Sequence, residues 1–443
     1  MNKLVDTIAA IASGHINQAI SIIRIVGPDA LDIIKKIFTG KIGPNKTIQY
    51  GFIKDKDQKI DEVLVSFFIG SDNFVGEDTV EINSHGGIVV TQKILDLVLS
   101  HGARLATKGE FTRRSYLNGK ISLIKAEAIN SLINAKTSKQ HRIAINSFDL
   151  EREKKIQDFL NSLEYLIGLC EINIDYPEYD DVPILENKKF IEKIDELVEQ
   201  LNKITKHSEA NKIFVSQLNV AIVGEPNAGK SSLINAMLNE DKSIVTNIPG
   251  TTRDVVEAEI VFNDLVLKFK DTAGIRESND EIEKIGIDKS WKQIETSDII
   301  IHVIDSTKGI SGFDQKIIEK SKDKKYIQLW NKSDLIDKKE KDKLYISSLN
   351  KDISSLENCL SNLFIFDEIE SSTLVFNPRQ NYCLKKSLLY LESVQKSIKE
   401  FNHTYDVLIV DLHLAWESLK EILGNVDKED LLDSIFKNFC LGK

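Results

Sequence analysis

A glycine-containing segment in the middle of the chain carries the residue types that bind phosphate. It follows an apolar run, opens a helical pattern, and reads Gly224-Glu225-Pro226-Asn227-Ala228-Gly229-Lys230-Ser231-Ser232. Glycines let backbone N–H groups face an anion, a lysine adds charge across neighbouring phosphates, and a helix N-terminus adds its partial charge. A serine hydroxyl suits Mg²⁺. The pattern predicts a phosphate-binding loop in which Lys230 contacts the β- and γ-phosphates and Ser231 binds Mg²⁺.

Two segments further along the chain add groups that such a loop needs. Asp271-Thr272-Ala273-Gly274 follows a strand-like run, so we expect Asp271 to hold Mg²⁺ through a water and the Gly274 N–H to contact the γ-phosphate. Gly250-Thr251-Thr252-Arg253-Asp254 lies before it, and Thr252 offers a second hydroxyl ligand for Mg²⁺. Alone, the tetrapeptide Asp271–Gly274 is also typical of a turn. After a phosphate loop, it predicts a nucleoside triphosphate site.

A third motif, Asn331-Lys332-Ser333-Asp334, predicts which base is bound. The Asp334 carboxylate can accept two hydrogen bonds from N1 and N2 of guanine, which adenine cannot supply. We expect Asn331 and Lys332 to brace the loop and cover the base. Ser347-Ser348 is a candidate for the loop that contacts guanine O6 through backbone N–H, although such pairs are equally common in ordinary loops. The motif therefore predicts GTP.

The groups that would drive hydrolysis are less evident. Ile275 follows Gly274, and an apolar side chain cannot orient an attacking water as glutamine does. No arginine is placed as a finger within the chain. The sequence predicts a GTP hydrolase in which other groups orient the water and balance the developing charge.

The pattern of apolar residues divides the chain into four stretches. Residues 1–118 mix short strand-like runs with helical patterns, which predicts a compact α+β domain. Residues 119–214 and 375–443 are almost wholly helical. In 215–374 buried-strand runs alternate with helices, which is typical of a parallel sheet covered on both faces. We predict a multidomain protein with a discontinuous all-α domain into which a Ras-like α/β GTPase domain is inserted.

Composition restricts the remaining function classes. The formal net charge of −10 argues against a globally basic nucleic-acid surface. A local basic stretch from Lys108 to Lys125, which includes Arg113 and Arg114, is better interpreted as a solvated face than as an RNA contact. The four cysteines have no zinc or redox spacing, and no signal peptide or membrane-spanning run is evident. We expect a cytoplasmic protein without a membrane partner.

Taken together, these motifs resemble the MnmE (TrmE) family of tRNA-modification GTPases, over almost the whole chain. An inserted GTPase domain is also that family's architecture. The most specific segments are 250–254, 271–277 and the C-terminal Phe439-Cys440-Leu441-Gly442-Lys443. The N-terminal and helical signatures of the family are matched by Gly76-Glu77-Asp78, His85-Gly86-Gly87 and Ala126-Glu127-Ala128-Ile129.

The resemblance implies hydrolysis that depends on potassium, with K⁺ in place of an arginine finger. The implied K⁺ ligands are Asn227, Thr246, Ile248 and Thr251. Glu283 matches a glutamate that acts on the attacking water through a second water, and with Lys230 and Thr252 it completes the predicted catalytic residues. The full set predicted to contact GTP is Asn227, Ala228, Gly229, Lys230, Ser231, Ser232, Thr246, Asn247, Ile248, Pro249, Gly250, Thr251, Thr252, Asp271, Thr272, Ala273, Gly274, Asn331, Lys332 and Asp334.

For the N-terminal domain, the resemblance implies a folate-binding module that forms a homodimer. The residues that match contacts to 5-formyl- or 5,10-methylene-tetrahydrofolate are Arg24, Glu81, Lys120 and Lys443. A carboxylate suits the amino-pyrimidine edge of a pterin, and cations suit the glutamyl tail. The sequence departs from the family at Ser13–Gln18, where a proline- and glycine-rich stretch with arginine is usual.

The resemblance also implies partners. These are an FAD-binding MnmG protein, joined in a heterotetramer, and certain tRNAs. Together the proteins would add an aminomethyl or carboxymethylaminomethyl group to C5 of the wobble uridine, with folate as the one-carbon source. The alternative is an RNA-binding regulatory or ribosome-assembly GTPase without modification activity. Such proteins usually carry a separate RNA-binding module, and because no basic α+β tail is evident in this sequence, we expect the modification GTPase.

Overall fold

The structure is a computed structural model that describes residues 6–175, 187–238, 258–269, 291, 293–363, 374–401, 405–424 and 429–442. Contacts divide the chain into two compact units. The first unit takes in residues 1–133, 147–164 and 416–443, and the second takes in 134–146 and 165–415.

The first unit is built on a mixed sheet of six strands. They are β1 (Ile8–Ile11), β2 (Ile20–Val26), β3 (Thr47–Asp55), β4 (Gln58–Phe68), β5 (Thr79–His85) and β6 (Arg104–Leu105). Their order is β3-β4-β5-β2-β1-β6, and every neighbouring pair is antiparallel except β1 and β6. The short β-branched runs Ile20–Val26, Glu62–Ile69 and Thr79–Ile82 predict strands, and they correspond to β2, the second part of β4 and the first part of β5.

Two helices cover one face of this sheet. The apolar sides of α1 (Ala30–Ile37) and α2 (Ile88–Ser100) pack on inward-pointing strand residues such as Ile23 and Val65. Because side chains alternate along a strand, Arg24 and Glu81 belong to the other face. That second face carries two of the four folate candidates.

Segments from distant parts of the chain meet in the first unit. The helices α3 (Glu110–Leu117) and α4 (Leu123–Asn134) are followed much later by α13 (Glu429–Phe436), and Phe436 and Phe439 pack with Leu123 in one apolar cluster. Gly109 permits this close approach: its φ is +69°, and a Cβ there would lie 2.7 Å from the Phe436 oxygen. The segment 436–442 is therefore packed into the first unit.

The second unit contains the α/β sheet. Its strands are β7 (Leu218–Val223), β8 (Ala258–Phe262), β9 (Leu265–Phe269), β10 (Ile299–Asp305), β11 (Lys325–Asn331) and β12 (Leu344–Tyr345). Their order is β12-β11-β10-β7-β9-β8. All neighbouring pairs are parallel except β8 and β9, which form an antiparallel hairpin at the edge. The predicted parallel sheet is confirmed for its four predicted strands, β7, β9, β10 and β11, whereas β8 and β12 are additions that their short runs did not reveal.

Alternate residues of these strands enter separate cores, as expected for a sheet covered on both faces. Val220 and Ile222 belong to one core, and Ala221 and Val223 belong to the other. The helices associated with the sheet are α8 (Lys230–Leu238), α9 (Gly312–Lys320) and α10 (Ser354–Leu363). β10 is buried along its whole length, which explains why its sequence is apolar apart from His302 and Asp305.

Where the structure describes them, the predicted helical stretches are mostly helical. Besides α4 they form α5 (Ser138–Asn146), α6 (Glu151–Asp175), α7 (Asn187–Val215), α11 (Pro378–Lys396) and α12 (Tyr405–Leu423). Within the second unit α11 packs along α7, and Asn377 caps the start of α11 with a capping box. None of the helices in the described part of the chain has the length and apolar character needed to cross a membrane.

Candidate nucleotide site

The phosphate loop connects β7 to α8 in a conformation that requires its two glycines. Gly224 has φ +148°, and a Cβ there would lie 2.2 Å from the backbone oxygen of Val303 on β10. Gly229 has φ +97°, and a Cβ there would lie 2.0 Å from Nδ2 of Asn331. Any larger residue would collide with backbone or with a buried side chain. The strand, loop and helix therefore have the arrangement that the motif predicted.

Lys230 begins α8, with Ser231 and Ser232 directly after it in the first turn. Its Nζ donates hydrogen bonds to the carbonyl oxygens of Gly224, at 2.9 Å, and Glu225, at 2.7 Å. Burial lowers the pKa of Lys230. Its ammonium group is thus held against the loop that it follows, at the positive end of the helix dipole.

Asn331 ends β11 and connects the base-recognition motif to the phosphate loop. Its Nδ2 donates to the Ala228 oxygen at 2.9 Å, and its Oδ1 accepts from the backbone N and the hydroxyl of Ser348, at 3.1 and 3.0 Å. Only 2% of Asn331 is exposed. Both the nitrogen and the oxygen of this side-chain amide are therefore bonded to neighbouring loops, as expected of a residue that braces the site.

Asp334 lies in the short 3₁₀ turn Ser333–Leu335 and is exposed. Its Oδ1 accepts a hydrogen bond from the Ser347 hydroxyl at 2.5 Å. The structure thus brings the Ser347-Ser348 pair to the motif, with Ser347 on Asp334 and Ser348 on Asn331. This carboxylate is oriented by a neighbour and open to solvent, as a group that reads the edge of a base must be.

Lys332, between these residues, forms an ion pair that the motif did not predict. Its Nζ lies 2.7 Å from Oδ2 of Asp305, which ends β10 and is 6% exposed. Sequence reasoning missed Asp305 because it belongs to no motif. Its position at the carboxyl end of β10 could have indicated it, because β10 and β11 are parallel neighbours whose carboxyl ends meet at one edge of the sheet.

Many of the predicted site residues lie outside the residues that the structure describes. These are Thr246, Asn247, Ile248, Pro249, Gly250, Thr251, Thr252, Asp271, Thr272, Ala273, Gly274, Glu283 and Lys443. Of the predicted Mg²⁺ ligands the described part contains Ser231, and of the K⁺ ligands it contains Asn227, in the left-handed conformation at φ +62°. No cluster of three or more His, Cys, Asp or Glu side chains suited to a metal occurs among the described residues.

In the first unit the structure brings two of the folate candidates together. Arg24 and Glu81 are register partners on β2 and β5, and Nε of Arg24 lies 2.8 Å from Oε1 of Glu81. The Arg24 guanidinium also donates to the Gly442 oxygen at 3.4 Å and lies 5.5 Å from the centre of the Phe111 ring. Glu81 is therefore held beside a cation and beside the chain segment that precedes Lys443.

Lys120 and the unusual Ser13–Gln18 segment have other surroundings. Lys120 is exposed and lies against Gly76, where a Cβ would be 3.0 Å from its Cε. The Ser13 hydroxyl accepts from the Ile22 backbone N at 3.1 Å, and the Gln18 backbone N donates to the Gly86 oxygen at 2.9 Å. This segment is thus hydrogen-bonded to the ends of β2 and β5.

The interpretation of the basic stretch as a solvated face is wrong for Arg114. Its side chain has no exposed surface and forms ion pairs with Asp6, Glu77 and Glu110, at 2.8, 3.1 and 3.3 Å. Arg104 joins the same network through Asp6 and Glu110. A buried guanidinium requires such partners, and Arg114 is consequently unavailable to an RNA phosphate.

Comparisons with known proteins agree with these features along the chain. The family model of the MnmE helical domain matches residues 123–440, and that of the GTP-binding protein TrmE N-terminus matches 7–120. The tRNA modification GTPases MnmE of Mycoplasmopsis pulmonis and Mycoplasma mobile are each 52% identical to this chain, over 99% of it and 100% of their own length. The protein of the same name from Lactiplantibacillus plantarum is 38% identical, over 99% of this chain and 98% of its own. With the resemblance thus confirmed over its full length, the chain belongs to the MnmE family of tRNA modification GTPases.

Proposed function

We propose that this chain hydrolyses GTP with the help of Mg²⁺ and K⁺, and that it uses this cycle in the modification of tRNA. The observation that carries the GTP assignment is the Asn331 side chain, which bonds the phosphate loop at Ala228 and the base loop at Ser348. Two binding elements that are far apart in sequence are thereby held in one rigid site. Membership in a family of GTPases supports the same conclusion.

Base selection follows from the geometry of Asp334. Its Oδ1 accepts from Ser347, which orients the carboxylate, and each carboxylate oxygen has further acceptor capacity. Guanine offers N1–H and an exocyclic N2–H₂ to these oxygens, whereas adenine presents an acceptor at N1. Adenine would leave the carboxylate without its partners, and that cost is the source of discrimination.

The phosphate end supplies positive charge and hydroxyl or amide oxygens. Lys230 and the first turn of α8 would bind the β- and γ-phosphates. The Ser231 hydroxyl and the Asn227 amide oxygen are hard donors of the kind that Mg²⁺ and K⁺ accept. When bound, the two cations would balance charge on the phosphate oxygens. The remaining predicted ligands, together with Glu283 as the residue acting on water, belong to the proposal from family resemblance.

The modification role extends the proposal to the first unit and to partners. Glu81, held beside Arg24, has the chemistry to bind the amino-pyrimidine edge of tetrahydrofolate, with Lys120 and Lys443 as cations for its tail. The folate would supply the one-carbon unit and an MnmG-type protein would supply FAD. The product would be an aminomethyl or carboxymethylaminomethyl group at C5 of the wobble uridine. We propose that this reaction takes place in the cytoplasm.

An exposed apolar patch supports a homodimer formed through the first unit. Ile48, Tyr50 and Leu64 are all more than 45% exposed. The strand register places Tyr50 opposite Leu64, so both point to the sheet face opposite α1 and α2. Burying such side chains against a second copy would remove apolar surface from water.

Two measurements test this function. The purified protein should hydrolyse GTP but not ATP when Mg²⁺ and K⁺ are present, and replacement of K⁺ by Na⁺ should slow turnover strongly. Equal rates in both salts would exclude the potassium role, and equal use of ATP would exclude the base assignment. Mass analysis of tRNA from cells lacking the protein should show wobble uridine without the C5 group. Intact GTP hydrolysis with unchanged wobble uridine would instead favour the regulatory or ribosome-assembly alternative.

A further inference from the structure

Asp305 is a buried carboxylate in which each oxygen has a separate partner. Oδ1 accepts from the backbone N and the hydroxyl of Thr307, at 3.0 and 2.7 Å, and Oδ2 pairs with Nζ of Lys332 at 2.7 Å. The side chain is 6% exposed. A carboxylate this buried is costly unless it is bonded on all sides, so Asp305 is committed to one orientation.

Lys332, its partner, has a backbone conformation that needs support. Its φ of +63° lies in the left-handed region, which side chains with a Cβ rarely adopt. The Ser333 N–H donates to the Ile346 oxygen at 3.1 Å, and the Ser306 N–H, next to Asp305, donates to the Asn331 oxygen at 2.9 Å. The loop after β10 is thus bonded to the base-recognition motif by one backbone bond and one ion pair.

We propose that Asp305 is a positioning residue for guanine-nucleotide binding, which acts by fixing Lys332 over the place of the base. This inference rests on the proposed function. With its ammonium group held by Asp305, the four-carbon stem of Lys332 has one direction and can lie against the face of a purine. Thr307 holds Asp305 in turn, so the lysine is fixed before nucleotide binds and less side-chain entropy is lost on binding.

This mechanism has a specific signature. The stem of Lys332 would contact the face of the base, not the edge that Asp334 reads and not the phosphates. Loss of Asp305 should therefore weaken the binding of GTP and of GDP to the same extent. The preference for GTP over ATP and the hydrolysis rate at saturating GTP should stay unchanged. A purely structural role would instead lower thermal stability without this pattern.

The test uses the full-length protein and compares Asp305→Asn, which keeps the acceptor for Thr307, with Asp305→Ala. Asp337→Asn is the matched control, because it removes an exposed carboxylate from the segment after the base motif. We expect the Kd of GTP and of GDP to rise roughly tenfold in both Asp305 variants and to stay unchanged in the control. Unchanged Kd values with normal folding would overturn the inference, as would an equal fall in kcat.

A double-mutant cycle with Lys332→Ala tests whether the effect of Asp305 on nucleotide binding depends on Lys332. If Asp305 acts through Lys332, the double variant should bind GTP no more weakly than Lys332→Ala alone. Additive losses would show that Asp305 acts by another route. Should Asp305→Ala fail to fold, the cycle is run with Asp305→Asn. Failure of the wild-type protein to prefer GTP over ATP would defeat the proposed function itself, which is a different outcome from an Asp305 variant that binds normally.

Discussion

The Nδ2 atom of Asn331 lies 2.9 Å from the backbone oxygen of Ala228, so one hydrogen bond joins the base loop to the phosphate loop. The two residues are 103 positions apart. Because the same side chain also accepts twice from Ser348, three loops depend on it. A change at this buried amide should affect the stability of the site as a whole.

Asn331→Ala should lower the free energy of unfolding by about 1–3 kcal/mol, because it leaves buried polar partners without their hydrogen bonds. It should also weaken GTP binding. Urea unfolding without nucleotide measures the first effect. Asn350→Ala is the control, since Asn350 is exposed in the neighbouring loop. Equal midpoints for the two variants would contradict the bridging role.

Gly229→Ala should abolish nucleotide binding while the equivalent change at Gly312 is tolerated. The added Cβ would lie 2.0 Å from Nδ2 of Asn331 in a backbone conformation that favours glycine, whereas no atom lies within 4 Å of a Cβ at Gly312. Fluorescent GDP binding measures the effect. Near-normal affinity in Gly229→Ala would mean that the loop can relax away from Asn331.

Asp334→Asn should shift the preference from GTP toward xanthosine triphosphate. Xanthine has an oxygen at C2 where guanine has an amino group, so an amide donor suits it better than a carboxylate does. Competition of the two nucleotides in a hydrolysis assay measures the shift. The Asp337→Asn protein should keep the wild-type preference, and a variant at Asp334 that did the same would refute the base contact.

Glu110 should make the first unit sensitive to acid. Burial acts to raise the pKa of Glu110, but hydrogen bonds from Arg104 and Thr107 outweigh it and hold the pKa below its ordinary value of 4.5. A carboxylate whose pKa is lower in the folded than in the unfolded state stabilises the fold at pH values above its unfolded pKa. This stabilisation is lost as the pH falls through the folded pKa. At about pH 7, Glu110→Gln should cost about 1–3 kcal/mol of stability. The difference in unfolding free energy between the wild type and Glu110→Gln should become smaller below about pH 4.5. A difference that does not depend on pH would contradict the pairing of Glu110 with Arg104.

Gly442→Ala should weaken 5-formyltetrahydrofolate binding and leave GTP affinity unchanged. Gly442 has φ +88°, and a Cβ there would lie 2.2 Å from the Ile11 oxygen, so the segment that accepts from Arg24 must move. Calorimetry with each ligand measures the two affinities. Leu441→Ala, at an exposed neighbouring position, is the control. Undiminished folate binding in Gly442→Ala would separate this segment from the folate site.

The sequence predicted the elements whose signal is local. β7 and β10 are largely apolar because both faces of their sheet are covered, and the phosphate loop has a motif because glycine is required at fixed positions. Ion-pair partners that are distant along the chain leave no local sequence pattern. Arg114 resembles a surface cation because Asp6 and Glu77, which neutralise it, lie 108 and 37 residues away. Asp305 was missed because it belongs to no motif, and its partner Lys332 lies 27 residues along the chain.

The contact of Arg24 with Gly442 joins positions 418 residues apart. A ribosome that adds about 5–20 residues per second needs roughly 20–80 s to travel that distance. During translation the strand that holds Arg24 therefore emerges long before the segment that packs beside it. Newly made chains would accordingly hold the Arg24 side of the proposed folate site before its Gly442 side, and a prematurely terminated product would lack the Gly442 side.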